Sequence, residues 1–540
     1  MSGASPTAQL HPCPWRILSN STAQTDAHSQ YELLLSMPVS SNPIDRYCVA
    51  AFFLLLLAVA VYQKALWFSP GSGDDLRILS SVSQRHNPLS YFATDWGMEN
   101  TYLLGTGQKD TTRRTYRPLH SISIWLGYRA FGVWAYPNQL LNLILHILNI
   151  LLLLRILQRV GLEVAPASLL ATLGLVSLYT ASPATWVSDR QTLVVALAVL
   201  IFINHVVESD GGLRSSINPW LVAGLTLVAV LFKESGLIIP LVAGAFVLFA
   251  PYKGPKRIHL AICVLLAASY LGLRVLLFGS NAFAYASEGF VFGNQYYTLL
   301  SDLPWQIALW ARAETVVKNF LCVFLPVFDP YGRIDSLHEL FANVLWWLPT
   351  VVLAAAATRR SLTRVQWLAL AVIAMNSALH VQVFRYRIEY VSQLAFCLYV
   401  ASSPIWQASH KKVDWGGRRQ LAGICCGFLA LVSISQVNRY IHSNWVQRQD
   451  EVTKQRLTTV LQSYPISGRI VEQVLARYAP TAETSPAKAP KDDVSNSISY
   501  DETRTPKPIC SERQRHSNHG DSRKNHRNNS SAWRLEANPG

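Results

Sequence analysis

The stretch Trp305-Gln-Ile-Ala-Leu-Trp-Ala-Arg312-Ala-Glu314-Thr-Val-Val-Lys318-Asn319-Phe-Leu-Cys-Val-Phe-Leu-Pro-Val-Phe328 decides how the rest of the chain is arranged. It is apolar enough to resemble a membrane span. With about 100° between successive helical residues, however, Arg312, Glu314, Lys318 and Asn319 fall within an arc of about 160° on one face. An ionised side chain near the centre of a span costs about 2.5 to 3.5 kcal/mol on insertion scales, and three lie near this middle. If the segment crossed, Arg359, Arg360 and Arg364, and then Lys411, Lys412, Arg418 and Arg419, would face outside. If it lies in the outer interface, both clusters become cytoplasmic. They then join Arg155/Arg159 and Lys253/Lys256/Arg257 in obeying the positive-inside rule. That choice gives about eleven spans, with the N-terminus inside and the C-terminus outside.

Working outward, the apolar residues come in runs of about 16 to 23, long enough for roughly 30 Å of hydrocarbon. The runs cover about 47–67, 138–157, 165–181, 191–207, 217–232, 235–250, 258–278, 341–357, 365–381, 390–406 and 420–435. Half of the 540 residues are apolar and only 15% are charged, and this clustering makes the chain a polytopic, all-α membrane protein rather than a soluble one. A net charge of +15 would suggest nucleic acid in a soluble protein. Here Lys and Arg collect in loops that set topology and meet anionic lipid, so no nucleic-acid partner is expected. The eight Cys show neither metal-ligand nor disulfide-framework spacing. Residues 1–44, rich in Ser, Pro and Thr, are expected to be a disordered cytoplasmic N-terminus. Residues 45–437 form the transmembrane domain. Residues 438–478 read as a short helical extracytoplasmic segment, and 479–540 as a disordered tail. The short segment from Arg117-Pro118 to about Trp134 carries His120 and Arg129 and reads as an interfacial helix.

Charge bias in the other loops puts Asp74-Asp75, Arg117, Asp189-Arg190, Lys233-Glu234 and Arg385/Arg387 together on the outer face. Asp74-Asp75 follows the first span through the turn Phe68-Ser-Pro-Gly-Ser-Gly73. Asp74 suits either a helix N-cap or a base that accepts a proton from an incoming hydroxyl, and Asp75 could orient it or hold a divalent cation. Arg117, next to Tyr116, suits a phosphate oxygen or a lipid headgroup. Lys233-Glu234 sits where one span turns straight into the next, so both must face a wet cavity or pair with each other. Arg385 and Arg387 at the mouth of a span either anchor it or stabilise a developing negative charge. His146 and Asn149 read as helix-to-helix hydrogen bonders rather than metal ligands.

Several segments, in order, carry a family likeness: Asp74-Asp75, Tyr116-Arg-Pro-Leu119, Phe131-Gly132 and Asn142-Leu-Ile-Leu-His146-Ile-Leu-Asn149. Trp186-Val-Ser-Asp-Arg190, Phe232-Lys-Glu-Ser235 with Pro240, Phe384-Arg-Tyr-Arg387, and Asn438-Arg439 with Trp445 continue the series. Over about 47–465 the chain resembles the GT-C superfamily of membrane glycosyltransferases. It is most similar to the protein O-mannosyltransferase and aminoarabinose-transferase type, in the bacterial TMTC-like branch. The resemblance implies a GT-C-like bundle with interfacial helices in its outer loops, set in a bacterial inner membrane. It also implies transfer from a polyprenyl-phosphate sugar donor to a protein or glycolipid acceptor on the extracytoplasmic face. By analogy Asp74 is the base and Asp75 assists or binds metal. Arg117, Lys233, Arg385 and Arg387 hold the donor phosphate, with Tyr116, Asp189, Arg190 and Glu234 in support. Two other classes fit the composition: a lipid or polyprenyl-phosphate transporter, and a catalytically inactive membrane scaffold.

Overall fold

The computed structural model describes residues 43–67, 87–93, 116–132, 135–208, 212–250, 252–278, 286–291, 294–299, 304–324, 344–358, 362–380, 389–403, 406 and 416–449. Asp74, Asp75, Arg385 and Arg387 lie outside the described residues. A helix occupies each of the eleven apolar runs. They are α1 (Pro43–Tyr62, extended by the 3-10 turn Gln63–Trp67), α3 (Ala135–Arg159), α4 (Val164–Val176) continued by α5 (Leu178–Thr185), and α6 (Arg190–Val206). They continue as α7 (Pro219–Phe232), α8 (Ile238–Phe249), α9 (Lys256–Phe278), α11 (Val344–Ala357), α12 (Arg364–Leu379), α13 (Tyr390–Ala401) and α14 (Gly416–Gln449). The short polar-end helix is α2 (Pro118–Phe131), and the contested segment is α10 (Trp305–Phe324). Apart from an antiparallel hairpin, β1 (Ala286–Val291) with β2 (Asn294–Leu299), the described elements are helical.

Among the described residues five helices are long and apolar enough to cross a membrane, six if the bent pair α4–α5 counts as one span. The chain is therefore a helical membrane protein. The 61° bend between α4 and α5 follows from Ser177, which leaves the helical region (φ −66°, ψ 143°) and caps the new helix by accepting from the Tyr179 N–H. The other starts are equally local. Asn218 caps α7 ahead of Pro219, and Thr363 with Gln366 forms a capping box on α12. Of the spans, α6 is the most enclosed and α1 and α9 the least. The outer surfaces of these helices show Phe52, Phe53, Leu265 and Leu276, as a lipid-facing surface requires. His146 binds the centre together, accepting from the Tyr390 hydroxyl on α13 (2.7 Å) and donating to the Leu175 carbonyl on α4 (3.0 Å). Asn149 donates to the Leu193 carbonyl of α6, so both residues are helix-to-helix hydrogen bonders as expected.

Hydrogen bonds sort the helix ends into two sets. At one end Arg159 donates to the Asn204 carbonyl, the Lys253 N–H to Ser215, and His259 to the Ile217 carbonyl. Arg419 donates to Trp406 and approaches Glu163, while Gln366 ties the end of α11 to the end of α13. Arg155, Arg159, Lys253, Lys256, Arg257, Arg364 and Arg419 thus share this basic end. At the other end lie Arg117, Arg190, Lys233, Glu234, His380 and Glu389. Among the described residues, Arg364 and Arg419, which follow α10, share this end with Lys253, Lys256 and Arg257, which precede it.

α10 packs one face against the bundle through Ala308, Ala311, Thr315, Asn319, Cys322 and Val323. At its last turn the Tyr179 hydroxyl donates to the Cys322 carbonyl (2.9 Å), and the Phe324 ring packs on Phe396 (5.6 Å) and Tyr399 (6.1 Å) of α13. The apolar Phe320–Phe324 turn makes this possible, while Trp305 and Trp310 stay exposed. α11 finishes at the basic end. A difference concerns α14, which runs unbroken through the boundary expected at 437–438. Val437 and Ile441 are both buried, so the packed face continues where a new segment was expected. At 1.5 Å per residue its 34 residues cover about 51 Å, beyond the roughly 30 Å of hydrocarbon.

Candidate functional site

The polar end is assembled from chain breaks between helices. Arg117 stands just before α2 with Pro118 at the first helical position, where a missing N–H costs nothing. From there its guanidinium forks onto Glu234, through Nε to Oε2 (2.9 Å) and through the terminal nitrogen to Oε1. Glu234 opens the 3-10 turn Glu234–Leu237 that joins α7 to α8 almost without a loop. Gly236 allows that joint. A Cβ there would lie 2.4 Å from the Ala229 carbonyl carbon, so only glycine lets the turn sit on the α7 backbone.

Lys233, in extended conformation, sends Nζ to the Thr192 hydroxyl on α6 (3.0 Å). Sequence reasoning required Lys233 and Glu234 to face a wet cavity or pair with each other. Lys233 meets Thr192, and Glu234 pairs with Arg117. Arg190 is buried (1% exposed) at the start of α6 and fans its donors over two helices, α2 and α3. They reach the Asn142 side chain (2.9 Å), the Ser123 carbonyl (3.0 Å), and both the carbonyl and side-chain oxygen of Asn138. Asn142 returns a bond to the Trp186 carbonyl (2.8 Å). Arg190 is therefore a clamp that fixes α2, α3 and the Trp186 turn around α6. Asp189 is buried in that turn, and its N–H donates to Trp186. Tyr116 is buried against Leu231, Leu273 and Leu277, with its hydroxyl toward the Phe92 carbonyl (3.4 Å).

Three side chains join this group without having been singled out for chemistry in the sequence. Arg274, buried near the end of α9, lies within electrostatic reach of Glu234. His120 is fully buried on α2, and neither ring nitrogen has a hydrogen-bond partner among the described residues. Glu389, fully buried just ahead of α13, accepts from Asn376 (3.2 Å). A charge inside an apolar run is the signal that could have exposed Arg274. The buried state of His120 and Glu389 leaves no trace in local spacing.

The charges explain one another. Burial works against ionised Glu234, yet the Arg117 pair outweighs it, helped by Arg274 and Lys233, and holds the carboxyl well below its usual range. Burial, followed by the charges of Arg117, Arg190 and Lys233, keeps the His120 imidazole neutral. Burial also pushes Glu389 up to about 8, against the opposing effects of its hydrogen bonds with Ser392 and Asn376 and the Lys233 charge. The result is a buried, cation-rich bundle end with one forked guanidinium, a suitable environment for an anionic group. Among the described residues no group of three His, Cys, Asp or Glu is placed to hold a metal. No family model, no curated protein and no solved structure matches this chain.

Proposed function

We propose that the chain is a membrane glycosyltransferase of the GT-C kind. In this proposal all eleven apolar segments cross a bacterial inner membrane and the polar end faces outward. A sugar passes from a polyprenyl-phosphate donor to a protein or glycolipid hydroxyl there. The observation that carries the reading is the gathering of Arg117, Glu234, Lys233, Arg190 and Arg274 at the bundle end opposite the Arg/Lys-rich loops. Chain segments more than a hundred residues apart in sequence meet there.

In this scheme Asp74 takes the proton from the acceptor hydroxyl as its oxygen attacks the anomeric carbon, and the polyprenyl phosphate leaves. Asp75 orients Asp74 or holds a divalent cation. Lys233, Arg385 and Arg387 neutralise the departing phosphate, and Arg117 does so by sharing its fork with Glu234. Arg190, with its donors committed to carbonyl and amide oxygens, acts as a positioning residue. An isoprenoid tail would lie between helices while its headgroup reached the polar end.

The test is Asp74→Asn in cells otherwise lacking the protein, followed by profiling of lipid-linked sugars and product glycans. Removing a general base costs about 10²- to 10⁴-fold in rate. The expected result is accumulated donor and lost product, with expression and melting temperature unchanged. Full transfer by the variant would overturn the base assignment. Unchanged glycans on deleting the whole chain would favour a transporter or scaffold.

A further inference from the structure

The basic end holds a cleft of about 480 Å³ lined by Arg159, Val207, Glu208, Arg214, Ser215 and Ser216. This is within the roughly 300 to 1,000 Å³ of ordinary ligand pockets. It opens where α3 and α6 end, on the face opposite the proposed transfer site. Its walls are fixed by the backbone. Val207 bridges Leu213, the Glu208 N–H donates to Gly212, the Arg214 N–H to Val206, and Ser215 accepts from Lys253.

The side chains around it are poorly matched to one another. Arg159 and Arg214 share the cleft, and Arg155, outside its lining, is also within electrostatic reach of Arg159. Arg159 gives one N–H to the Asn204 carbonyl, and neither it nor Arg214 or Glu208 forms an ion pair among the described residues. A guanidinium has five N–H donors, so a helix-capping role for Arg159 uses only part of its capacity. Capping gives no role to Arg214. Against binding of an anion stand the two helix C-termini, each equivalent to roughly half a negative charge, and the Glu208 carboxylate. Arg159 and Arg214 offset these, and the nearby Arg155 tips the balance to positive.

We propose that this cleft binds a phosphate group, with Arg159 and Arg214 gripping its oxygens in fork geometry and Ser215 and Ser216 donating hydroxyls. Glu208 is then placed to accept from a hydroxyl carried beside the phosphate. Two sources share this chemistry: the headgroup of an anionic lipid in the adjoining leaflet, and soluble phosphate. Basic pockets at the ends of membrane helices favour the lipid.

The experiment uses the full-length protein in detergent, with native mass spectrometry against short-chain phosphatidic acid, phosphatidylglycerol and phosphatidylcholine, and thermal shift against inorganic phosphate. Expected are one tightly held anionic lipid per chain and at least tenfold weaker binding in Arg214→Gln. Because Arg159→Gln also removes a helix cap, Ser215→Ala/Ser216→Ala is the companion variant, with a smaller loss. Inorganic phosphate stabilising wild type but not Arg214→Gln, with no lipid retained, would assign the soluble source. Equal retention of phosphatidylcholine, or full affinity in Arg214→Gln, would overturn the site.

Discussion

The two ends of the bundle use charge in opposite ways. At the polar end Lys233 and Arg190 are buried and the Arg117–Glu234 pair partly so, each held by named partners. Arg117 forks onto Glu234, Lys233 meets Thr192, and Arg190 is spread over Asn138, Asn142 and Ser123. At the basic end Arg155 and Arg214 are exposed, and the ion pair Arg419–Glu163 is long, at 3.9 Å. A buried charge must be satisfied by protein or ligand, because no water repays its desolvation. An exposed one is left to solvent and lipid headgroups. The polar end is therefore satisfied within the protein, whereas the basic end leaves its charges open to water, lipid headgroups and the phosphate proposed for its cleft.

The sharpest way to break this contrast is to remove one partner at the polar end. Arg117→Ala leaves Glu234 ionised in a site where its side chain is only 27% exposed. Removing one member of a buried pair costs about 3 to 5 kcal/mol, and the partial exposure places this case near 3. Arg117→Ala/Glu234→Ala removes both charges and should lose clearly less than the single variant. Thermal unfolding of wild type, the single and the double in one detergent checks the order. A double variant less stable than Arg117→Ala would mean that lost packing, rather than the stranded carboxylate, sets the cost.

Glu389 sharpens the contrast in a second way, through pH. Its carboxyl is raised from the ordinary 4.5 to about 8 by burial, so the folded protein favours the protonated form. The stability it contributes is full below about pH 4.5 and is lost as pH rises through about 8. Glu389→Gln keeps the shape and removes the proton equilibrium. The variant should melt above wild type at the alkaline side of that window and match it at the acid side. A melting difference that does not change with pH would show that Glu389 does not titrate there.

Much of this was legible in the sequence because membrane physics is local. Run length located all eleven helices, and Lys/Arg bias placed Arg364 and Arg419 at the same end as Arg159. What was not legible depended on contacts across the chain. The sequence offered Lys233-Glu234 as a possible pair because they are neighbours, but an extended Lys233 and a 3-10 turn at Glu234 send the two side chains to different helices. Arg190 read as a supporting residue of a motif. Its role as a clamp follows only from the meeting of α2, α3 and α6. α10 combines both readings: Arg312, Glu314 and Lys318 break its apolar character, yet Ala308, Ala311, Thr315, Asn319, Cys322 and Val323 are buried along its length. Asp74, the residue on which the proposed chemistry turns, rests on the sequence and its family likeness.

The smallest effect belongs to the basic end. Arg419 lies 3.9 Å from Glu163, with side chains 32% and 70% exposed, and also donates to the Trp406 carbonyl. Exposed ion pairs contribute about 0 to 1 kcal/mol because water screens them and two long side chains lose freedom. Glutamine at 419 retains an N–H that can serve Trp406. Arg419→Gln is therefore expected to change stability by no more than about 0.5 kcal/mol, with the difference shrinking further as salt is added. Denaturation of the two proteins at low and high ionic strength measures this directly. A loss comparable to that of Arg117→Ala would mean that Arg419 is desolvated in the membrane-embedded protein. The distinction between a satisfied polar end and a solvent-served basic end would then fail at α14.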